Sequence, residues 1–294
     1  MWVDLIDPTP QEAQQVLVDT FHFHPLSVED AMSRIHHPKI ESYQGYLYLI
    51  LHGIDAEHGD GGSFATRDVD FFLGPNFLVT VHDGHSRSIA HIKALCSAHG
   101  RHVLADGPVG LLHRIIDQMV DNYRPEIEKI EERMDEIEDA AVVTPHHSLV
   151  REILALKRDL ATLRRVVLPQ RDAVNRLSRK EFPQISDEMT YRFRDVFDNL
   201  VRLSEEAALF QDRITGILDA HLSSISNRLN DVMRVLTVMS TIFLPLTVLT
   251  GMWGMNVPLP HFPGGADAQF WWVLGLMLGL SGVMLWFFRK SDWI

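Results

Sequence analysis

Residues 235–253 read VLTVMSTIFLPLTVLTGMW, with no charged side chain. A bilayer core takes roughly 20 helical residues, so this stretch is long enough to cross one. Residues 270–288 read FWWVLGLMLGLSGVMLWFF, again uncharged. Two such runs in succession point to a C-terminal membrane domain; the alternative is a buried pair of soluble helices. The flanks fix an orientation. Arg228 and Arg234 precede the first run, Arg289 and Lys290 follow the second, and 254–269 between them holds neither Lys nor Arg. Because positive residues stay on the cytoplasmic side, both termini are expected there and the loop outside. Trp253, Trp271 and Trp272 then fall at the outer interface, and Trp286 and Trp293 near the inner one, depths that suit amphipathic rings.

Outward from these runs the composition changes. The chain of 294 residues is 46% hydrophobic and 22% charged, with a formal net charge of −12. Almost all of the charge precedes the first run. An acidic balance argues against a nucleic-acid partner, which needs clustered Lys and Arg. Cys96 is the single cysteine, so no intrachain disulfide forms, which fits a reducing compartment. Residues 1–10 carry Asp4 and Asp7 and lack the basic flank and apolar run of a signal peptide.

Residues 1–105 are expected to form an α/β domain. Candidate strands are 2–6, 46–52, 68–73 and 77–82, the last two joined by a turn at Gly74-Pro75-Asn76. Residues 86–98 suggest a helix. The span 106–231 is helical throughout. Ile127, Ile130, Met134 and Ile137 repeat at three-four spacing, as do Ile153, Leu156, Leu160, Leu163 and Val167. Thr144-Pro145 separates the two runs, so an antiparallel hairpin is expected. After the break at Phe182-Pro183, Ser186, Asp187 and Glu188 supply a cap and an acidic first turn. Phe193, Val196, Leu200, Leu203, Ala207, Phe210, Ile214 and Ile217 then continue the spacing into the first membrane run. One helix over about 186–252 follows, on the order of 100 Å long. A domain this small cannot cover it, so identical copies are the expected partners, unless its own hairpin suffices. Residues 232–294 form the two-span membrane domain.

Two spans per subunit cannot enclose an aqueous path, but a ring of subunits can. Asn230, Met233, Thr237, Ser240, Leu244 and Thr247 make one stripe of the first span. A polar stripe in a lipid-spanning helix should face protein or water. The alternative is that the hydroxyls bond back to their own helix, or ease helix packing. Asn230 and Asn256 mark the two ends of the stripe. Their amide oxygens suit a hard cation such as Mg²⁺, which sheds water reluctantly. Met233, Leu236 and Leu244 can form apolar constrictions.

Gly254-Met255-Asn256 directly follows the first span. With Asn230-Asp231-Val232-Met233, Ile242-Phe243-Leu244-Pro245-Leu246-Thr247, the N-terminal stretches 24–30 and 37–41, and Tyr191-Arg192-Phe193-Arg194-Asp195-Val196, it resembles the CorA family of magnesium and cobalt transporters over nearly the whole chain. The resemblance implies a funnel-shaped homopentamer: an α/β cytoplasmic domain, a stalk helix continuing as the pore helix, and the second span as an outer ring. It implies that Gly254, Met255 and Asn256 form the outer selectivity site, and that Asn230, Met233, Leu236, Leu244 and Thr247 line the pore. It implies that cytoplasmic Mg²⁺ holds the pore shut, with Asp195 as the stalk carboxylate and Asp55 or Glu57 as its partner. Arg289 and Lys290 resemble the family's basic collar.

Two departures bear on the ion. Trp253 stands where the family usually has Tyr. The loop Val257-Pro258-Leu259-Pro260-His261-Phe262-Pro263-Gly264-Gly265 lacks the acidic segment of magnesium members and looks more like the zinc-transporting ZntB branch. His261 is a softer ligand, better suited to Zn²⁺, whereas Met255 favours the magnesium branch. Mg²⁺, Co²⁺ and Zn²⁺ all remain candidates. The pairs His82/His85 and His99/His102 lack the context of a strong metal site. No P-loop is present, so no nucleotide is expected, and no enzymatic motif is found. The rivals to a channel are a proton-coupled zinc transporter of the same fold and a non-transporting membrane-anchored sensor or scaffold.

Overall fold

A computed structural model describes residues 1–33, 37–54, 65–143, 147–255, 266–291 and 293. These fall into two compact units, Met1–Asp219 and Ala220–Ile294.

The first unit is built on a five-stranded sheet of β1 (Trp2–Ile6), β2 (Lys39–Tyr43), β3 (Tyr46–Ile54), β4 (Thr66–Leu73) and β5 (Leu78–His82), in the order β1-β5-β4-β3-β2. β1 pairs with β5 in parallel; the other pairings are antiparallel. The central strand β3 is a continuous apolar run, YLYLILHGI. Such a run suits a strand covered on both faces, and alternation sends its side chains to two cores. Tyr46, Tyr48 and Ile50 pack with Leu17, Phe23 and Phe72 on one face. Leu47, Leu49 and Leu51 pack with Phe71, Leu112, Ile116 and Met119 on the other.

The first face is covered by the chain that follows β1. α1 (Pro10–Ala13) starts at Thr9, whose side chain accepts from the Glu12 amide while Glu12 accepts from the Thr9 amide, a reciprocal capping box. A wider π-helical segment, Gln14–Thr20, and α2 (Pro25–Met32) complete this layer. The second face is covered by α3 (Arg87–Val103) and α4 (Gly107–Asp121). Then come α5 (Arg124–Val143) and α6 (His147–Leu177). α3 runs five residues past the expected end at Ala98. β2 was not among the expected strands.

At the β1–β5 edge, Asp4 is nearly buried in a polar knot. Thr80 Oγ1 donates to its Oδ1 at 2.5 Å, His82 Nε2 lies 3.1 Å from the same oxygen, and Lys93 Nζ lies 2.5 Å from Oδ2. His82 Nδ1 accepts from the Gly84 amide, so Nε2 carries the ring proton.

α7 (Asp187–Trp253) is a single helix of 67 residues, one residue offset from the sequence expectation at each end. Within the first unit its stripe from Phe193 to Ile217 is buried, and it shares one core with Ile130 and Met134 of α5 and with Leu156, Leu160 and Leu163 of α6. Each such large side chain contributes about 1.5–3 kcal/mol by leaving water. The three-four spacing read from the sequence is therefore the packing seam.

The second unit holds the remainder of α7 and α8 (Ala266–Lys290). Both helices are long and apolar enough to cross a membrane, and 6% or less of either apolar window is buried. Leu244 is 71% exposed and Trp271 68%. Apolar exposure on this scale calls for a lipid or protein covering. α8 begins four residues before the expected start at Phe270. Pro245 lies inside α7, where it removes one backbone donor without ending the helix.

Candidate metal pathway and acidic cluster

The helical spacing of α7 places Asn230, Met233, Thr237, Ser240, Leu244 and Thr247 along one stripe, with Leu236 beside it; all seven are exposed. The hydroxyls have a definite orientation. Thr237 Oγ1 donates to the Met233 carbonyl at 2.7 Å and Thr247 Oγ1 to the Phe243 carbonyl at 2.9 Å. Thr250 Oγ1 donates to the Thr247 carbonyl at 3.1 Å. The back-bonding anticipated as the plain structural reading is thus present. It does not oppose a cation-lining role. A hydroxyl whose proton is committed to its own helix keeps only acceptor lone pairs for anything outside, which favours a cation over an anion.

α7 ends in a tight turn. The Gly254 amide donates to the Thr250 carbonyl at 2.9 Å and the Met255 amide to Met252 at 3.3 Å. A Cβ on Gly254 would stand 3.1 Å from the Thr250 oxygen, so the close approach explains the glycine. Met255 is 57% exposed. Asn256, His261, Asp55 and Glu57 lie outside the described residues.

Asp195 is exposed on the stalk part of α7. The structure adds a residue that sequence reading missed. Asp117, on α4, is half-buried; burial first, then the charges of Asp121 and Asp195, push its carboxyl above its usual range, while His113 opposes them. Burial likewise holds the His113 imidazole below its ordinary value, and its ring packs edge-on against Phe193 at 5.3 Å between centroids. Asp106, just before α4, ties that helix to α7: Arg192 Nη1 donates to its Oδ2 at 2.9 Å, and Arg114 Nη2 at 3.3 Å. Of the charges acting on Asp117, that of Asp195 on α7 has the smallest influence.

Among the described residues, no three His, Cys, Asp or Glu side chains are grouped so as to hold one ion. A hard cation that keeps several of its waters needs only one or two carboxylates, so the lack of such a group leaves room for a hydrated divalent ion near Asp117 and Asp195. They do not form a closed coordination cage. A signal for Asp117 was present in the sequence. In Leu111-Leu112-His113-Arg114-Ile115-Ile116-Asp117-Gln118-Met119-Val120 it is the one carboxylate among residues with a core-facing period.

Residues 1–290 match the family model described as "CorA-like Mg2+ transporter protein". YfjQ of Bacillus subtilis (strain 168) is 36% identical over 99% of this chain and 89% of its own length. The cobalt/magnesium transport protein CorA of Thermotoga maritima is 28% identical over 100% of this chain and 83% of its own. The solved structure of the CorA magnesium transporter from Methanocaldococcus jannaschii superposes with a TM-score of 0.86 at 23% identity, covering 100% of this chain and 91% of that one. That likeness extends the shared fold to both units and the long helix.

Proposed function

This chain belongs to the CorA-like Mg2+ transporter family, and on that premise we propose that it is one subunit of a homopentameric Mg²⁺ and Co²⁺ uptake channel in the cell membrane, with both termini cytoplasmic. At the coarser level it is a divalent metal ion transporter of that family. The observation that carries the finer reading is the exposed stripe of α7, whose Thr237 and Thr247 hydroxyls offer only acceptor oxygens outward.

In this reading Gly254, Met255 and Asn256 form the outer selectivity site. Asn230, Met233, Leu236, Thr237, Ser240, Leu244 and Thr247 line the path. Passive flow suffices for uptake: each charge gains about 2.3 kcal/mol per 100 mV, and a divalent ion about twice that. At about 1.4 kcal/mol per decade, a gradient of more than a thousandfold is supported, so closing matters more than pumping. Asp117 and Asp195 supply the means. They repel when bare, and a divalent ion bound there would neutralise both carboxylates and favour the arrangement that holds them together. Asp55 or Glu57 is the proposed partner from another copy.

A second reading, proton-coupled Zn²⁺ transport, is favoured by His261 and the Pro263-Gly264-Gly265 loop. Uptake of Mg²⁺ and Zn²⁺ into proteoliposomes, with and without a pH gradient, separates the two. Voltage-driven Mg²⁺ flux, indifferent to the pH gradient and abolished in Asn256→Ala, is the expected result. Zn²⁺ flux that follows the pH gradient, with little Mg²⁺ flux, would refute the magnesium reading. No flux of either ion would return the chain to the scaffold reading.

A further inference from the structure

The end of α6 and the start of α7 border an open surface cavity of about 570 Å³ lined by Arg179, Lys180, Arg194, Tyr191, Asn175 and Asp198, among others. All of these lie in the first unit. In a chain of net charge −12, three cations around one hollow are a marked local reversal. Among the described residues that line it, Asp198 is the only acid.

The cations differ in how far they are already satisfied. Lys180 Nζ is held 2.7 Å from Asp187. Arg179 donates through Nε to the Asn175 side-chain oxygen at 3.1 Å, a neutral partner that fixes the guanidinium without cancelling its charge. Among the described residues no carboxylate pairs with Arg194. Ser178 and Thr190 direct their hydroxyl protons to the carbonyls of Asn175 and Ser186. Tyr191, 65% exposed, adds an aromatic ring to the cavity lining.

We propose that this cavity binds a phosphate-bearing small anion through Arg179 and Arg194. Planar guanidinium forks match phosphate oxygens in pairs. The cavity is larger than a bare phosphate needs, and Tyr191 offers a face to a flat group carried with it, so a nucleotide fits better than inorganic phosphate alone. The absence of a P-loop speaks to backbone cradling and hydrolysis, and leaves recognition by arginine side chains untouched. This inference rests on the cavity alone and stands whichever ion the protein carries.

The test is equilibrium binding of ATP and of tripolyphosphate to the full-length protein in detergent, free of divalent ions, at two salt concentrations. Saturable binding that weakens with salt is expected. It should weaken about tenfold or more in Arg194→Ala and in Arg179→Ala. Tyr191→Ala should weaken ATP and spare tripolyphosphate. Both arginines are exposed, so unchanged thermal unfolding is expected in either variant. Absence of saturable binding, or binding indifferent to the arginine substitutions, would overturn the proposal. So would dissociation of the assembly in those variants without any anion affinity in the parent, because the basic hollow would then be a contact between copies. Binding confined to vesicles of anionic lipid would likewise replace it with a headgroup site.

Discussion

Replacing Asp4 by Asn isolates one charge in a well-defined setting. Burial alone would raise the Asp4 carboxyl, but the hydrogen bonds from His82, Lys93 and Thr80 outweigh it and bring it from 3.8 down to about 2. At about 1.4 kcal/mol for each pH unit, the ionised form stabilises the folded state by about 2 kcal/mol. The sign follows from linkage. A carboxyl depressed on folding gives stability that is fully present above pH 4 and is lost as the pH falls from there towards 2. Trp2 is the only tryptophan within Met1–Asp219, and its Nε1 donates to Thr80 Oγ1 at 3.0 Å, so it reports on this knot directly. Urea unfolding of residues 1–219, followed by tryptophan fluorescence, should show Asp4→Asn less stable by about 2 kcal/mol at pH 7. The gap should shrink to less than about 1 kcal/mol near pH 2.5 and close below pH 2. A gap of the same size at both pH values would refute the electrostatic account and assign the loss to packing.

Other outcomes follow from the same structure. Asp117 has its carboxyl raised, so its ionised form opposes folding as the pH climbs through and above the usual carboxylate range. Asp117→Asn should therefore raise the melting temperature at pH 7 in chelator and reduce the further rise that Mg²⁺ produces, read by differential scanning fluorimetry. An unchanged Mg²⁺ response would remove Asp117 from the proposed site. Gly254→Ala forces a Cβ against the Thr250 carbonyl at 3.1 Å; uptake in proteoliposomes should fall while the melting temperature of the soluble unit stays put. Phe193→Ala empties a fully buried site and should cost about 3–5 kcal/mol in urea unfolding. Arg213, which pairs with Asp135 and Glu138, sits at the surface, so Arg213→Ala should cost less than about 1 kcal/mol.

The long-range organisation was legible because it is written in periods. The three-four spacing from Phe193 to Ile217 and the uncharged membrane runs each extend over many residues, so local noise averages out. β3 and β5 were legible as apolar runs bounded by turn residues. β2 was not, because Lys39-Ile40-Glu41-Ser42-Tyr43 puts only one aliphatic side chain inward, and its pairing with β3 rather than its own propensity makes it a strand. The π-helical turn at Gln14–Thr20 has no sequence signature that separates it from an α-helix. At the candidate site, the stripe of α7 was legible as helical spacing. The inward donation of the Thr237 and Thr247 hydroxyls was anticipated only as a rival to it. Asp117 was not legible, because its relation to Asp195 spans two helices and arises only when α4 packs on α7. Those are tertiary facts with no local trace beyond a lone carboxylate at the border of the buried face of α4.

The sheet's β2 edge bears on how the newly made chain behaves. An unpaired strand edge is a template for adding foreign strands, and a newly made chain presents that edge as soon as its sheet has formed. Here Arg176 Nη1 reaches over from α6 to occupy the Ile40 carbonyl at 2.7 Å. Lys39 is held between Asp30 at 2.6 Å and Glu41 at 3.0 Å along the same border. One carbonyl of the rim is filled by a guanidinium and its neighbours are crowded with fixed charge, so a stray strand finds few open bonds there. The arrangement makes that edge a poor template for aggregation.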